Sequence, residues 1–144
     1  MRPFTVPHDA REPLQLTCTD GDVRLGVVTD LGHASAHVLQ ELAGCATLML
    51  ECNHDEELLQ ASSYPPFLKR RVAGAYGHLA NSAAAALAQS LLAGGKLRQV
   101  MAAHLSEQNN RPELARQALA DALGWQPGDI HVAHAARGGD WLTA

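Results

Sequence analysis

Three of the strands expected in this sequence lead directly to a side chain that is able to bind a metal ion or transfer a proton. The runs Val-Val-Thr-Asp30, Leu-Met-Leu-Glu51 and Met-Ala-Ala-His104 end on these residues. In α/β sheets ligands lie outside the carboxyl ends of the strands, so we expect the three side chains to share one rim. Carboxylate and imidazole are natural ligands of zinc and manganese, and a carboxylate is able to bridge two ions. The pattern predicts hydrolytic metal chemistry.

Two more histidines lie in positions that fit such a site. His8 stands in Val-Pro-His-Asp, ahead of the first predicted hairpin, and His78 stands in Gly-His-Leu-Ala-Asn, just before a predicted helix. Because a helix N-terminus stabilises anions, His78 is placed to meet a phosphate oxygen or a leaving group. Each residue also has an ordinary alternative: an Asp at a strand end often serves a turn, and a His after an apolar strand is often a hydrogen-bonded surface residue. No role is assigned to four other histidines, His33, His37, His131 and His134.

The elements that position these side chains follow from turn and helix signals. Residues 14–20 and 22–29 are β-prone and are joined by Asp20-Gly21, which predicts an antiparallel hairpin. Further strands are predicted over 46–51, 97–103 and 130–135, and helices over 35–43, 67–75 and 82–93. Asn81 or Ser82 is available as the N-cap of the third of these helices. A last helix is predicted after Asn110 as N-cap, with Pro112 in its first turn. Strands alternating with helices predict an α/β fold, as a single unit over residues 1–144.

Composition narrows the possible classes. The 144 residues are 47% apolar but only 4% aromatic, which favours helices packed on a buried sheet over a β-sandwich. The net charge of −4 gives no general electrostatic footprint of a nucleic-acid-binding protein, so a polyanionic substrate would need a local positive centre. The three cysteines, Cys18, Cys45 and Cys52, form no C-x-x-C pair and are expected to be buried free thiols. No run resembles a membrane span or a signal peptide, and we expect a cytoplasmic protein.

An ordered set of motifs resembles the YycJ-like (WalJ-like) branch of the metallo-β-lactamase-fold hydrolases. The motifs are PFTVPHDAREP, VVTDLGH, LECNHDEELL, YPPFLKRRV, GHLANSAAAALA and AHLSEQNN, and the match as a whole runs from about Pro3 to Leu123. The last two also resemble RNase Z, where a Gly-His-Ser-Thr segment and an Ala-rich helix precede a strand that ends in Thr-His-Phe-Ser. The resemblance implies phosphodiester rather than β-lactam chemistry.

The resemblance also implies roles for individual residues. His8 matches a histidine that binds one metal, Asp30 the carboxylate that bridges two metals, and His104 a histidine on the second metal. His78 matches a histidine that assists phosphate stabilisation or leaving-group protonation, and Glu51 with His54 matches an acidic strand end near that site. The complete enzyme would hold two divalent ions, zinc or manganese, which lower the pKa of a bridging water and neutralise charge on phosphorus.

The sequence departs from the family in one respect: it contains no His-x-His, whereas the family carries His-x-His-x-Asp-His in the first half of a longer chain. We therefore expect the C-terminal half of the αββα metallo-β-lactamase fold, a mixed sheet flanked by helices. With an incomplete site, the isolated fragment is expected to bind metal weakly and to show little or no activity. An apolar sheet face would be left for a partner, either the missing N-terminal half or a second copy of the chain.

The function predicted from the sequence is metal-dependent hydrolysis of phosphodiester bonds, of the nuclease or cyclic phosphodiesterase type. The substrate is a nucleic acid or a small phosphodiester, and the sequence does not choose between DNA and RNA. One alternative is a non-catalytic half-fold that serves binding or assembly. A second alternative is a hydrolase of the same fold that acts on acyl substrates.

Overall fold

The computed structural model describes residues 1–142 and contains one six-stranded mixed sheet; residues 143 and 144 of the predicted single unit lie outside the described residues. Its strands are β1 (Arg2–Thr5), β2 (Leu14–Thr19), β3 (Arg24–Val28), β4 (Thr47–Glu51), β5 (Gln99–Ala103) and β6 (Ile130–Val132). The order across the sheet follows the order along the chain. The first three strands pair antiparallel and the last four pair parallel, so the predicted hairpin of β2 and β3 is confirmed.

Helices form the crossover connections between the parallel strands, which confirms the α/β class. They are α1 (Ala36–Leu42), α2 (Glu56–Ala61), α3 (Pro66–Val72), α4 (Asn81–Leu92) and α5 (Pro112–Leu123), and a 3-10 turn, Pro127–Asp129, precedes β6. Helix α1 joins β3 to β4, the next three helices join β4 to β5, and α5 joins β5 to β6. No helix among residues 1–142 is long and apolar enough to cross a membrane.

The core lies between one face of the sheet and helices α1, α4 and α5. Paired positions Val28, Leu50, Ala102 and Val132 form a buried row across β3 to β6, and helix residues such as Leu42 join the same cluster. The close packing explains the glycine in β3: a Cβ on Gly26 would lie 2.8 Å from Leu42 Cδ2 and 3.0 Å from Leu48 Cδ1. A glycine at this position therefore leaves room for the side chains of Leu42 in α1 and Leu48 in β4.

The opposite face of the sheet is apolar and only partly covered. Because successive strand residues point to opposite faces, the row that alternates with the core row runs across β2 to β6. Its members are Leu16, Val27, Met49, Met101 and His131. The first three are half-buried, and Met101 is covered by the segment at Gly139. This row defines what we call the open face, in contrast to the fully buried row beneath the helices.

Element ends differ from the sequence prediction in detail. Strand β1 and helix α2 were not predicted, and the other elements are mostly shorter than the predicted ranges. The predicted caps of α4 and α5 were wrong: their N-caps are Ala80 and Arg111, and neither side chain caps its helix. The side chains of Asn81 and Asn110 instead hydrogen-bond to each other. The cysteines are free as predicted, with Cys45 and Cys52 buried and Cys18 half-buried.

Candidate metal centre

The predicted rim residues meet at the carboxyl ends of three neighbouring strands. Asp30 lies two residues after β3, Glu51 is the last residue of β4, and His104 directly follows β5. Asp30 and His104 have φ angles of 51° and 56°, and they are the two non-glycine residues with positive φ in residues 1–142. Such a conformation costs an L-residue roughly 1–2 kcal/mol. Strained backbone therefore occurs at two of the three predicted metal ligands, as is common at functional sites.

Glu51 is the hub of this cluster. Its side chain is fully buried, and Oε1 accepts hydrogen bonds from Nδ1 of His78 at 2.9 Å and from Nδ1 of His104 at 2.6 Å. Oε2 accepts hydrogen bonds from the backbone amides of Leu31 at 2.8 Å and Leu79 at 3.0 Å. Both oxygens are thus occupied by donors. The carboxylate ties together the loops that follow β3, β4 and β5 and the segment that leads into α4.

These contacts perturb the ionisation of the cluster. Burial by itself would raise the pKa of Glu51, but hydrogen bonds from His104, His78 and the two amides outweigh it and lower the pKa from 4.5 to about 2. The hydrogen bond to Glu51 also raises the pKa of His104, against the opposing effect of its partial burial. Glu51 is therefore a buried anion at neutral pH, and its charge is compensated within the cluster.

The hydrogen bonds determine which imidazole nitrogens are available. A carboxylate only accepts, so His78 and His104 must each carry a proton on Nδ1, and their neutral rings then present bare Nε2 atoms. His8 has the same arrangement: its Nδ1 donates to the carbonyl of Gly77 at 2.9 Å, which leaves its Nε2 free. Metal-binding histidines are typically oriented in this way by a carboxylate or a carbonyl on the other nitrogen.

Asp30 is placed to share an ion with these histidines. Its Oδ1 lies 3.7 Å from His8 Nε2, beyond hydrogen-bonding distance and close to the ~3.5 Å that separates two donors of one tetrahedral zinc ion. Asp30, Glu51, His78 and His104 together offer donor atoms that all lie within 4.8 Å of one another. The His78 ring stacks at an angle between those of His8 and His104, with centroids 5.1 and 5.3 Å apart. Carboxylate and imidazole groups gathered at this spacing fit a divalent ion.

Two glycines allow the loops of the site to approach each other. A Cβ on Gly32 would lie 2.2 Å from the carbonyl oxygen of Ala75, and a Cβ on Gly77 would lie 2.1 Å from that of Arg71. Gly32 also donates its amide hydrogen to the carbonyl of Pro7 at 2.9 Å. These backbone contacts hold the segments that carry His8, Asp30 and His78 against one another, and no larger residue fits at either position.

A buried amide pair, missed in the sequence, supports the same loops. The Nδ2 groups of Asn81 and Asn110 each donate to the other's Oδ1 at 2.9 Å, and Asn110 Nδ2 also donates to the carbonyl of Cys52 at 2.7 Å. This pair connects the end of β4 with the starts of α4 and α5. In the sequence an Asn stands at or just before the start of each helix. An Asn in that position is typical of a helix N-cap, so the sequence gives no separate sign of the amide pair.

His54 is buried close enough to Glu51 and His78 for their charges to affect its pKa. Its side chain is 1% exposed, burial lowers its pKa, and its Nδ1 has no partner among residues 1–142. Its backbone carbonyl accepts the amide of Asn81 at 2.8 Å. Hydrogen bonds, ion-pair distances and ring contacts thus connect five of the six predicted site residues, and the sixth, His54, is buried near them. At the outer edge, Arg71 Nε donates to Asp9 Oδ2 at 2.7 Å beside His8.

Comparisons with known proteins identify similar chains. Over 120 residues the chain is 35% identical to the exodeoxyribonuclease YycJ of Bacillus anthracis, covering 83% of this chain and 45% of that protein. Over 121 residues it is 32% identical to the exodeoxyribonuclease WalJ of Streptococcus pneumoniae, covering 83% of this chain and 44% of that protein. The chain thus spans somewhat less than half the length of these relatives. No family model matches the sequence.

A solved structure shows the fold. The metallo-β-lactamase fold protein YhfI from Bacillus subtilis superposes with a TM-score of 0.67 at 13% identity, covering 96% of this chain and 46% of that one. At this identity the similarity concerns the fold alone. It confirms the predicted fold class, and the two relatives confirm the resemblance drawn from the motifs.

Proposed function

Since this chain is a homologue of the YycJ and WalJ exodeoxyribonucleases and has a metallo-β-lactamase type of fold, we propose that it carries one part of a metal-dependent site that hydrolyses phosphodiester bonds in DNA. The observation that carries the proposal is the arrangement of Asp30, His8, His78 and His104 around the buried Glu51 at the ends of three strands. Two of these residues hold a strained backbone conformation, which supports a role beyond turn formation.

In this proposal the metal ligands are His8 and His104 through Nε2 and Asp30 through its carboxylate. Two divalent ions, zinc or manganese, would supply a hydroxide nucleophile at neutral pH and neutralise the charge on phosphorus. Asp30 Oδ1 lies 3.7 Å from His8 Nε2, and it lies 3.7 Å and 3.8 Å from the His78 and His104 rings, measured to Nδ1. Its carboxylate would therefore be within reach of an ion held by His8 or by His104.

The remaining residues orient the ligands and move a proton. Glu51 fixes the rings of His78 and His104 by accepting from both Nδ1 atoms, so that each Nε2 points away from the carboxylate. His78 is 26% exposed at its side chain and precedes the N-terminus of α4, where it is placed to hydrogen-bond a phosphate oxygen or to protonate the leaving oxygen. His54 is buried and acts only by supporting the loop between β4 and α2.

The number of donors argues that this chain does not complete the site. Three ligands shared between two ions leave each ion with about two protein donors, fewer than the three of ordinary catalytic zinc sites. The other donors, expected in a His-x-His-x-Asp-His segment, are not in this sequence. We therefore expect weak metal binding and little hydrolysis from the chain by itself. The open face, with Leu16, Val27 and Met49, would be covered by the remaining half of the fold, and pairing with a second copy is the alternative.

Zinc titration of the purified, untagged chain in competition with a chromophoric chelator tests the metal assignment. Asp30→Ala and His104→Ala should each weaken zinc binding by at least tenfold, because each removes a ligand from an already sparse set. His131→Ala, on the open face, is the matched control and should bind zinc like the unchanged chain. Equal affinity in the Asp30 and His104 variants and the unchanged chain would remove both residues from the site.

Catalysis is tested separately, with 5′-labelled single-stranded and duplex DNA in the presence of manganese or zinc. We expect slow hydrolysis by the chain, abolished in Asp30→Ala. His78→Ala should lower turnover while zinc affinity stays near that of the unchanged chain, since its Nε2 is not among the proposed ligands. Loss of zinc binding in His78→Ala would mean that the histidine is itself a ligand.

A further inference from the structure

A cleft of about 720 Å³ opens directly beside the candidate metal centre. His104 forms one end of its wall, and the cleft continues over the carboxyl ends of β5 and β6 to the segment that follows β6. The volume lies within the roughly 300–1,000 Å³ typical of sites for small organic ligands. Because His104 belongs to its wall, a molecule in this cleft would lie next to any group bound at His104.

The charge of the cleft differs from that of the chain as a whole. Its wall contains Arg111 and Arg137, with Glu107 as the one acidic residue of the lining, whereas the chain carries a net charge of −4. Within residues 1–142 neither arginine has a carboxylate oxygen within 4.0 Å, although Arg2 and Arg71 are both paired with acids. Two unneutralised guanidinium groups in one cleft provide the local positive centre that a polyanion requires.

The backbone that carries each arginine is held by hydrogen bonds. The Arg111 Nη1 donates to the carbonyl of Asn110 at 2.6 Å, and Asn110 belongs to the buried amide pair that supports the metal centre. Arg137 lies in a tight turn in which His134 and Gly138 exchange two backbone hydrogen bonds of 2.8 Å. The backbone positions of the two arginines relative to His104 are therefore set by the fold.

Apolar residues make up much of the remaining lining, which also includes the polar residues Thr29, Ser106, Asn110 and His134. Leu105, Pro112, Val132 and Ala133 form much of the wall between the two arginines and His104. A nucleotide has the matching chemistry, with an anionic phosphate for the guanidinium groups and a base and sugar for the apolar wall. Helix α5 begins at Pro112 in this wall, so the positive end of its dipole adds to the attraction for phosphate.

We propose that this cleft binds the nucleotide of a single DNA strand that adjoins the scissile phosphate, with Arg111 and Arg137 on its phosphate and the apolar wall against its base. This inference rests on the proposed function, since it takes the scissile phosphate to lie at His104. It adds a substrate-binding site that is separate from the ligands of the metal. It also explains how a chain of net negative charge attracts a polyanion.

Binding without catalysis tests the inference independently of the metal chemistry. Fluorescence anisotropy would follow a labelled dT8 oligonucleotide in EDTA, over a range of salt concentrations, with circular dichroism to confirm folding. Arg111→Gln and Arg137→Gln should each raise Kd about fivefold or more and should each reduce the slope of log Kd against log salt by about 0.7, the value for one lost phosphate contact on a single strand. Arg98→Gln, an exposed arginine at the opposite end of β5, is the control and should leave both unchanged.

Competition distinguishes a nucleotide site from a site for any anion. Thymidine 5′-monophosphate should displace the oligonucleotide at a concentration at least tenfold lower than inorganic phosphate. Equal displacement by phosphate, unchanged Kd in both arginine variants, or no binding by the folded chain would each overturn the assignment. If the variants weaken binding as expected while Asp30→Ala retains full zinc affinity, the cleft stands and the proposed metal site fails, so the two failures are distinguishable.

Discussion

Replacing Glu51 with Gln should change how the stability of the chain depends on pH. Folding lowers the pKa of Glu51 from 4.5 to about 2, so the unfolded chain binds the proton more tightly than the folded one. At 1.36 kcal/mol per pKa unit, the ionised carboxylate contributes roughly 3 kcal/mol to the free energy of unfolding. This stability is fully present above pH 4.5 and is lost as the pH falls toward 2. Glu51→Gln removes the ionisation while keeping a side chain of the same size.

The assay is urea unfolding in EDTA, followed by circular dichroism at intervals from pH 6 to pH 2.5. We expect Glu51→Gln to be about 3 kcal/mol less stable than the unchanged chain at pH 6 and to approach it at pH 2.5, where about three quarters of the contribution has gone. Other carboxylates titrate in the same range in both proteins and cancel in the difference between the two curves. That difference therefore reports Glu51 together with His104, whose pKa Glu51 raises. The exposed Glu57→Gln in α2 is the control and should give a curve parallel to that of the unchanged chain.

A constant difference between the Glu51→Gln and wild-type curves from pH 6 to pH 2.5 would refute this reasoning. It would mean that the folded protein binds the proton on Glu51 as tightly as the unfolded chain does. In that case the four donors around the carboxylate would not act together on its charge, and Glu51 would not be the anion that orients His78 and His104.

Three further changes test the structure of the rim by urea unfolding in EDTA. Gly32→Ala should cost at least about 2 kcal/mol, because its Cβ would lie 2.2 Å from a backbone oxygen, whereas Gly128→Ala, with open space around its Cβ, should cost less than about 1 kcal/mol. Asp30→Gly should be about 1 kcal/mol more stable than Asp30→Ala, since glycine adopts a φ of 51° without strain; equal stabilities would argue against strain at Asp30. Asn110→Ala should cost roughly 1–3 kcal/mol because it leaves the buried amide of Asn81 without its partner.

The sequence predicted the rim because strand ends are encoded locally. An apolar run that stops at Asp30, Glu51 or His104 signals both the strand and the side of the sheet on which it ends. The order of these strands in one sheet and their helical connections follow from the alternation of strand and helix patterns. What the sequence did not show is that Glu51 lies beneath the histidines, because its partners are 27 and 53 residues away.

Elements with weak local patterns were missed. Strand β1 buries only Phe4 of its four residues and pairs along a single edge with β2, so its sequence carries no periodic signal. Helix α2 has six residues and buries one of them, Leu59, and its N-cap Asp55 lies in a charged stretch without apolar periodicity. The caps assigned to Asn81 and Asn110 were wrong because a contact between residues 29 positions apart outweighed the local preference.

The two strained residues show where local rules give way to tertiary structure. Neither Asp30 nor His104 is glycine, yet both adopt the left-handed conformation, and a sequence pattern offers no means to predict it. Glu51 connects their loops: its Oε2 accepts the amide of Leu31, next to Asp30, and its Oε1 accepts Nδ1 of His104. The buried carboxylate is thus hydrogen-bonded to His104 itself and to the residue that follows Asp30. These bonds offset the cost of the strained backbone in the metal-free chain.

It follows that the shortfall of the proposed site lies in the number of ligands rather than in their arrangement. The rings of His8, His78 and His104 are already oriented by Gly77 and Glu51, so binding an ion would require no refolding of these loops. Zinc should therefore bind without a change in the circular dichroism of the chain, and its affinity should rise when further donors are supplied from outside, as by the remaining half of the fold. A chain that instead gained helix or sheet on binding zinc would show that the hydrogen bonds of Glu51 are insufficient to organise the rim.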